Sequence, residues 1–452
     1  MLSSLFALRQ IPACLGLGLL TALALPSAQA QSLVDLYQIA RDYDASYRAA
    51  RAQFDATVAR ADQSKSMLRP TVGLQSTVTR SQVSGYIDSV PYFKHPYGQR
   101  QNGVSLSQPL YRPGNLASYR QGEKLLIQAD AQLALAEQDL IVRVSQAYFD
   151  VLAAQDTLVF VRAQKAAVQE QLASAKRNFE VGTATITDAR EAQAREDLVI
   201  SQEIAAQNEV RVKQLFLDQL VGRSDTKPLP LQAQVTLPTL PSERVESWVE
   251  SAQEHPSVQL AQTALDVASL EIAKAEAGEK PTLDLTGSYG VAHNIDGSSV
   301  APTSRANSRI TQASVGLTLN IPLYAGGALQ AKVREALSLH EKASADLETA
   351  RRSTAQATRT AFYGVQSGTS QVKALQAAEL SSQSALDANT LGYKVGVRIN
   401  IDVLNSQSQL YQTKRDLALA RYNVLLGGLK LRQANGSLKP DDLQTVNALL
   451  QP

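Results

Sequence analysis

Two hydrophobic periods alternate along the chain after residue 30. Some short stretches switch between apolar and polar at every position. Val72/Leu74, Val104/Leu106 and Leu283/Leu285 do so, as do Val315, Leu317, Leu319 and Ile321 set against Ser314, Gly316, Thr318 and Asn320. Successive side chains of a strand point to opposite faces, so an alternating segment of about ten residues fits a strand of an outer-membrane barrel. The pattern predicts strands at about 71–80, 102–111, 282–292 and 310–324. Polar loops at 81–101 and 293–309, rich in Gly, Ser, Asn and Tyr, separate the members of each pair. Tyr111, Tyr289 and Tyr324 are placed where belt aromatics meet lipid headgroups.

The other period is helical and very long. Residues 115–180 lack proline and have no glycine after Gly122, and 328–391 contain only Gly364 and Gly368. Both are crowded with Ala, Leu, Gln, Glu and Arg, which are good helix formers. Sixty-odd helical residues reach on the order of 100 Å, thicker than a soluble core, so such rods pack along one another. Alanine at many apolar positions suits close, coiled-coil-like pairing. Shorter helical stretches at 33–66 and 243–278 lead into the strand pairs.

These elements occur twice in the same order. Pro109-Leu110-Tyr111 returns as Pro322-Leu323-Tyr324, and Ala147-Tyr148-Phe149 is echoed by Ala361-Phe362-Tyr363. Val181-Gly182 followed by Asp188 returns as Val395-Gly396 followed by Asp402, and Pro70-Thr71-Val72-Gly73-Leu74 matches Pro281-Thr282-Leu283-Asp284-Leu285 more loosely. The chain therefore divides into a first repeat at 31–222, a proline-rich connection at 223–242, a second repeat at 243–436 and a tail at 437–452. Pro109 and Pro322 mark the strand-to-helix junctions, and the sharp turns near 182 and 396 divide each long helical stretch from the next.

Composition narrows the setting. Arg9, a Leu- and Ala-rich apolar stretch, Pro26 and the small-residue site Ala28-Gln29-Ala30 read as a secretory signal peptide cleaved after Ala30. The only cysteine, Cys14, lies within it and the apolar core continues past it, which disfavours a lipid anchor. The chain carries 44 basic and 42 acidic residues, so it has no charge excess for binding nucleic acid. After residue 30 no run of 18 apolar residues occurs, which leaves a closed β-barrel as the way across a membrane. Eight strands already give a barrel filled by side chains. Four cannot enclose a pore, so a symmetric oligomer pooling strands is expected, with three copies giving twelve.

No catalytic constellation is present. His95, His255, His293 and His340 lack metal-ligand spacing, and there is no nucleophile elbow or phosphate-binding glycine loop. The reading is a non-enzyme with no cofactor and no metal. Tyr86, Tyr92, Phe93 and Tyr97 near His95 read as extracellular loop packing, and Trp248 as part of a packed belt. The turns themselves have a structural reading: Gly182 and Gly396 as helix caps, Asp188 with Glu191 as a capping box, and Asn400 with Asp402 as cap and dipole partner.

Further resemblance rests on particular residues. Gly392-Tyr393-Lys394-Val395-Gly396-Val397-Arg398, continuing through Asp402-Val403-Leu404, Leu410-Tyr411 and Ala420-Arg421-Tyr422-Asn423, resembles the closing region of the TolC family. Phe179-Glu180-Val181-Gly182 with Ile186-Thr187-Asp188, Ala147 to Leu152, and Pro281 to Thr286 resemble the same family, over essentially the whole chain after residue 30. The resemblance implies a mainly α protein with membrane β: a trimer whose twelve-stranded outer-membrane barrel continues into a periplasmic barrel of twelve helices with a mixed α/β belt. It implies an exit duct for type I protein secretion or multidrug efflux, working with a periplasmic adaptor and an inner-membrane ABC or RND-type transporter. It places Thr187, Asp188, Tyr393 and Arg398 in links that hold the entrance shut, and Val181, Gly182, Val395 and Gly396 at the adaptor contact. Asp402 falls in the acidic ring of the aperture; one turn later Asn405 stands where the family carries a second aspartate, which implies a weaker cation block. A metal-efflux outlet and a non-transporting periplasmic scaffold are the alternatives. The four alternating segments argue against the scaffold.

Overall fold

Ser32 caps α1 (Leu33–Tyr43): its hydroxyl accepts the Asp35 N–H, and the Asp35 carboxylate accepts the Ser32 N–H. The computed structural model describes residues 31–232, 235–238, 242–298 and 304–451, so the signal peptide expected over residues 1–30 lies outside it. Asp44 ends α1 and caps α2 (Ala45–Ser66) by accepting the Tyr47 N–H at 2.8 Å, splitting the helix expected over 33–66 into two. Arg143 grips the same carboxylate with two bonds of 3.0 and 3.1 Å, which holds Asp44 below the usual carboxylate range.

Strands β1 (Thr71–Ile87), β2 (Val90–Tyr111), β3 (Thr282–Ile295) and β4 (Ser308–Asn320) form one antiparallel sheet in chain order. The loop expected at 81–101 is corrected: the first hairpin runs on to a two-residue turn at Asp88–Ser89, both with positive φ. The extension is tied to the end of β3 by the buried His95 ring, which bonds the Asp296 carbonyl, while its sequence, broken by Gly85, Pro91, Pro96 and Gly98, lacks the strict alternation that marks a strand. The fourth strand stops at Asn320 rather than 324. Thr282, the first residue of β3, pairs with Asn320, so the β3 ladder ends before residues 321–324 and no described strand residue pairs with them, and Pro322 has no N–H to donate.

Each strand pair feeds a helical hairpin. Helix α3 (Pro113–Glu180) has 68 residues, beginning with proline in its first turn, and returns as α4 (Ile186–Val221). Helix α7 (Ala328–Lys394) has 67 and returns as α8 (Asn400–Ala434). The expected lead-in of the second repeat resolves into α5 (Val245–Ser251) and α6 (Pro256–Glu276). Nearer the sheet, α2, α3, α6 and α7 lie side by side; farther away α3–α4 and α7–α8 are joined where α3 meets α8.

The largest core lies at mid-height. Tyr148, Phe149 and Leu152 of α3 meet Leu33 and Leu36 of α1, Leu217 of α4 and Leu443 of α9 (Asp442–Asn447). Phe149 stacks edge-on to Tyr148 and tilted to Tyr422, each at 5.7 Å between centroids. The proline-rich connection docks here: Tyr148 donates its hydroxyl to the Leu229 carbonyl at 2.8 Å, and Leu231 bridges Leu450. Trp248 packs on Phe362, Val365 and Leu431 and donates to the Ser242 carbonyl, in keeping with a belt role. His255 ties α6 to the end of α8 in neutral form, its Nδ1 accepting the Ser257 N–H and its Nε2–H donated to the Gln433 carbonyl. Burial pushes its pKa down.

Emptying the centre of this core tests its weight. Phe149→Ala removes a ring that is 1% exposed and leaves a cavity between α3 and α8. The expected cost is about 3–5 kcal/mol, read as an earlier unfolding midpoint in detergent.

Candidate functional site

The ends of the two hairpins repeat one turn. After α3, the Gly182 N–H bonds the Phe179 carbonyl and the Thr183 N–H the Asn178 carbonyl; after α7, Gly396 bonds Tyr393 and Val397 bonds Gly392. Gly182 and Gly396 have φ of +78° and +80°, with open space where a Cβ would lie. Their glycine is therefore required by conformation alone. Around them Val181, Val395 and Val397 are 72, 66 and 76% exposed. Apolar side chains standing in water at a helix turn offer a partner surface rather than a core.

The caps differ from the expectation. Thr185, not Asp188, caps α4: its hydroxyl accepts the Asp188 N–H at 3.3 Å and the Asp188 carboxylate accepts the Thr185 N–H at 3.0 Å. Glu191 takes no part in that box. Ile399 occupies the cap position of α8 without a side-chain bond, so Asn400 is not a cap. It lies on the inner face, fully buried, one helical turn before Val403 and Leu404.

The predicted gate residues are distributed as follows. Tyr393 accepts the Asn178 amide across the two hairpins at 3.5 Å, a long bond. Arg398 is exposed in the turn before α8, lies over Gly392 and reaches Asp402 in the first turn of that helix at 3.7 Å. Thr187 bonds the Thr185 hydroxyl, and Asp188 serves the cap. Within one chain, then, the pair Thr187–Asp188 and the pair Tyr393–Arg398 make no bond to each other among the described residues. Asn405 accepts Arg195 of α4 at 2.9 Å, which seats α8 on the first hairpin.

What sequence reasoning missed is a buried polar seam between α3 and α8. Gln171 donates to the Asn400 carbonyl oxygen, and Asn400 passes its amide to the Asp188 main-chain carbonyl at 3.2 Å. Gln164 reaches Ser408 at 3.4 Å, and Tyr422 donates to Asp156 at 2.7 Å. Burial pushes the Asp156 carboxyl up, and burial beside Asp156 pushes the Tyr422 hydroxyl up. The available signal was Asn400 sharing helical spacing with Val403 and Leu404, an amide on an apolar stripe. None of the described residues groups into a metal site.

A small sheet with two free edges, feeding two parallel hairpins with apolar tips, defines one segment of a membrane-anchored helical duct. The chain belongs to the outer membrane efflux protein family, whose pattern matches residues 36–223 and again 248–437, one match in each repeat. It is 34% identical over 425 residues to outer membrane protein TolC of Vibrio cholerae, covering 93% of this chain and 94% of that one. To the Escherichia coli protein of the same name it is 33% identical, covering 94% and 86%. The proteases secretion protein PrtF of Dickeya chrysanthemi is 30% identical, covering 94% and 92%. The fold matches the crystal structure of VceC from Vibrio cholerae with a TM-score of 0.74 at 19% identity, covering 90% and 96%. The protein is an outer-membrane exit duct.

Truncating Asn400 to alanine removes the bond it accepts from Gln171 and the one it donates to the Asp188 carbonyl, at a position that is itself fully buried. The seam is expected to weaken by about 1–3 kcal/mol. Amide hydrogen exchange should quicken over the first turns of α8 while the mid-height core of α3 stays protected.

Proposed function

We propose that three copies of this chain form one duct through which an inner-membrane ABC or RND-type transporter, reached through a periplasmic adaptor, expels protein or small-molecule cargo. The observation that carries the reading is the pair of free edges, β1 and β4, on a sheet too narrow to close. In lipid each free edge would leave a row of N–H and C=O groups unpaired, and pooling strands removes every edge. PrtF, by its name a secretion protein for proteases, supports a secretory cargo.

Val181, Gly182, Val395 and Gly396 are the adaptor-facing surface in this reading. The exposed guanidinium of Arg398 and the hydroxyl of Tyr393 stand ready to bond Thr187 and Asp188 of a neighbouring copy and hold the entrance shut. An adaptor that offers competing contacts releases those links. Asp402 from each copy forms an acidic ring on the axis, where like charges gathered together attract cations. Asn405, occupied with Arg195, leaves that ring single.

Arg398→Ser removes the charge-assisted donors of the gate. Loss of about 1.5–3 kcal/mol per link predicts at least a tenfold rise in open-state occupancy of channels in planar bilayers. An unchanged closed conductance counts against the assignment. Asp402→Ala removes the ring, so polyvalent cations should block only at roughly tenfold or higher concentration, by the same conversion of about 1.4 kcal/mol per tenfold. Undiminished block would place the cation site elsewhere.

A further inference from the structure

We propose that β4 of one copy seats on β1 of the next in the register of the chain's own β2–β3 pair, and that this joint between copies lacks the ion-pair clamp of the internal one. The inference rests on the shared-barrel reading above. It comes from the duplication taken residue by residue. The segment beginning at Pro70 corresponds to that beginning at Pro281, and the segment beginning at Pro109 to that beginning at Pro322. Inside the chain, Leu283 lies opposite Tyr111, Asp284 opposite Pro109 and Ser288 opposite Ser105. Transposed to the seam between copies, Val72 meets Tyr324, Gly73 meets Pro322 and Thr77 meets Thr318.

Two observations made independently of that transposition agree with it. Directly opposed residues share a face of the sheet, and a slip of one residue would turn every side chain to the wrong side. The transposed register sets Leu74 and Val78 against Ile321 and Leu317, apolar against apolar, and leaves Thr77 and Thr318 on the polar face. Leu323 and Tyr324 are also 94 and 89% exposed, whereas their counterparts Leu110 and Tyr111, in the strand beside β3, are 52 and 50% exposed. A second copy is what would cover the difference.

The joint it forms is chemically different from its twin. Internally, Arg112 lays a fork on Asp284, Nε to one oxygen at 2.7 Å and Nη2 to the other at 2.6 Å, and fastens the β2–α3 junction to β3. At the seam the corresponding residues are Ala325 and Gly73, so no such pair forms. Pro113, which stiffens the start of α3, corresponds to Gly326, which has positive φ, as does Gly327 after it. Helices α7 and α8, with Tyr393, Arg398 and Asp402, therefore hang from an unclamped glycine joint. Helices α3 and α4 hang from a fastened one.

Residues 31–452 contain no cysteine, which gives a clean background. Thr77 and Thr318 stand on the two outer strands of one chain's sheet, so a disulfide between them reports contact between copies. Directly opposed strand residues lie about 4.5–5.5 Å apart, within disulfide reach, while partners two residues away lie about 7–8 Å apart. On mild oxidation of the outer-membrane protein, Thr77→Cys with Thr318→Cys should give covalent oligomers in denaturing gels. Thr77→Cys with Asn320→Cys or Gly316→Cys should give at least tenfold less. Stronger linking of either shifted pair overturns the register while leaving the shared barrel standing. A parent protein that forms no heat-sensitive oligomer overturns the shared barrel itself. The clamp is tested by rebuilding it with Gly73→Asp and Ala325→Arg; a Cβ at Gly73 meets only the Ser105 hydroxyl, at 3.5 Å. The double variant should dissociate at a higher temperature than the two single changes together predict, and no gain beyond them overturns the missing-clamp claim.

Discussion

Backbone hydrogen bonding at the sheet's two outer strands governs this molecule. A bilayer offers no water to an open strand, so the edges of a four-stranded sheet cannot stay open within it. The same edges are harmless if another copy covers them. That one requirement makes the membrane part of the protein an assembly property, although each chain folds its own helices around its own mid-height core of Tyr148, Phe149 and their neighbours. The division explains the exposed apolar residues of the isolated chain. Val315, Leu317 and Leu319 share one exposed face of β4, as barrel positions meeting lipid would, while Leu323 and Tyr324 stand beside an uncovered edge.

Duplication supplies the parts and then departs from symmetry where function needs it. Both hairpins end in the same glycine turn, with the same bonding and nearly the same φ. Beyond the turns the halves diverge. The first hairpin receives a full capping box at Thr185 and Asp188; the second begins without a side-chain cap and turns Asn400 inward onto the first. At the membrane end Arg112 and Asp284 fasten one junction and not the other. The hairpin carrying Arg398 and Asp402 is thus the less fastened at both ends, and is tied to its neighbour by hydrogen bonds rather than by apolar packing alone.

The long helices, their glycine turns and the strand pairs were legible because each rests on local chemistry: a periodicity, a positive φ, a proline. The extension of the first hairpin through residues 81–101 was not. A strand outside the apolar band needs no alternation, and its Gly, Ser and Tyr content reads as loop. The capping box was misplaced by one turn because Asp188 is followed by Glu191, although the Thr185–Asp188 spacing satisfies the same rule and is the one formed. The seam escaped because it is a long-range pairing: Gln171, Asn400 and Asp188 are separated along the chain and meet only when α8 lies against α3. The proposed link from Thr187 and Asp188 to Tyr393 and Arg398 of another copy would be of the same kind, one level higher, since it follows from no single chain.

A polar seam is also the kind of joint a duct that opens would use. Two hairpins glued by a continuous apolar stripe would lose hydrophobic burial along the whole stripe whenever they shifted. Amide and hydroxyl pairs such as Gln164–Ser408 and Gln171–Asn400 lose little when water replaces the partner, since the net worth of each bond is about 1 kcal/mol. Their cost appears only if a group is left buried and unpaired, so they penalise half-shifted states and tolerate fully shifted ones. Asp156 and Tyr422 mark the upper limit of such movement. There the bond is short, both groups are largely buried, and the apolar mid-height core begins beside them, with Phe149 against the Tyr422 ring. Above that level opening would cost the mid-height core; below it the cost is the seam's replaceable hydrogen bonds together with a smaller apolar cluster in which Leu404 packs with Val168, Leu172 and Val199, and a partner at the tips would have to offset both.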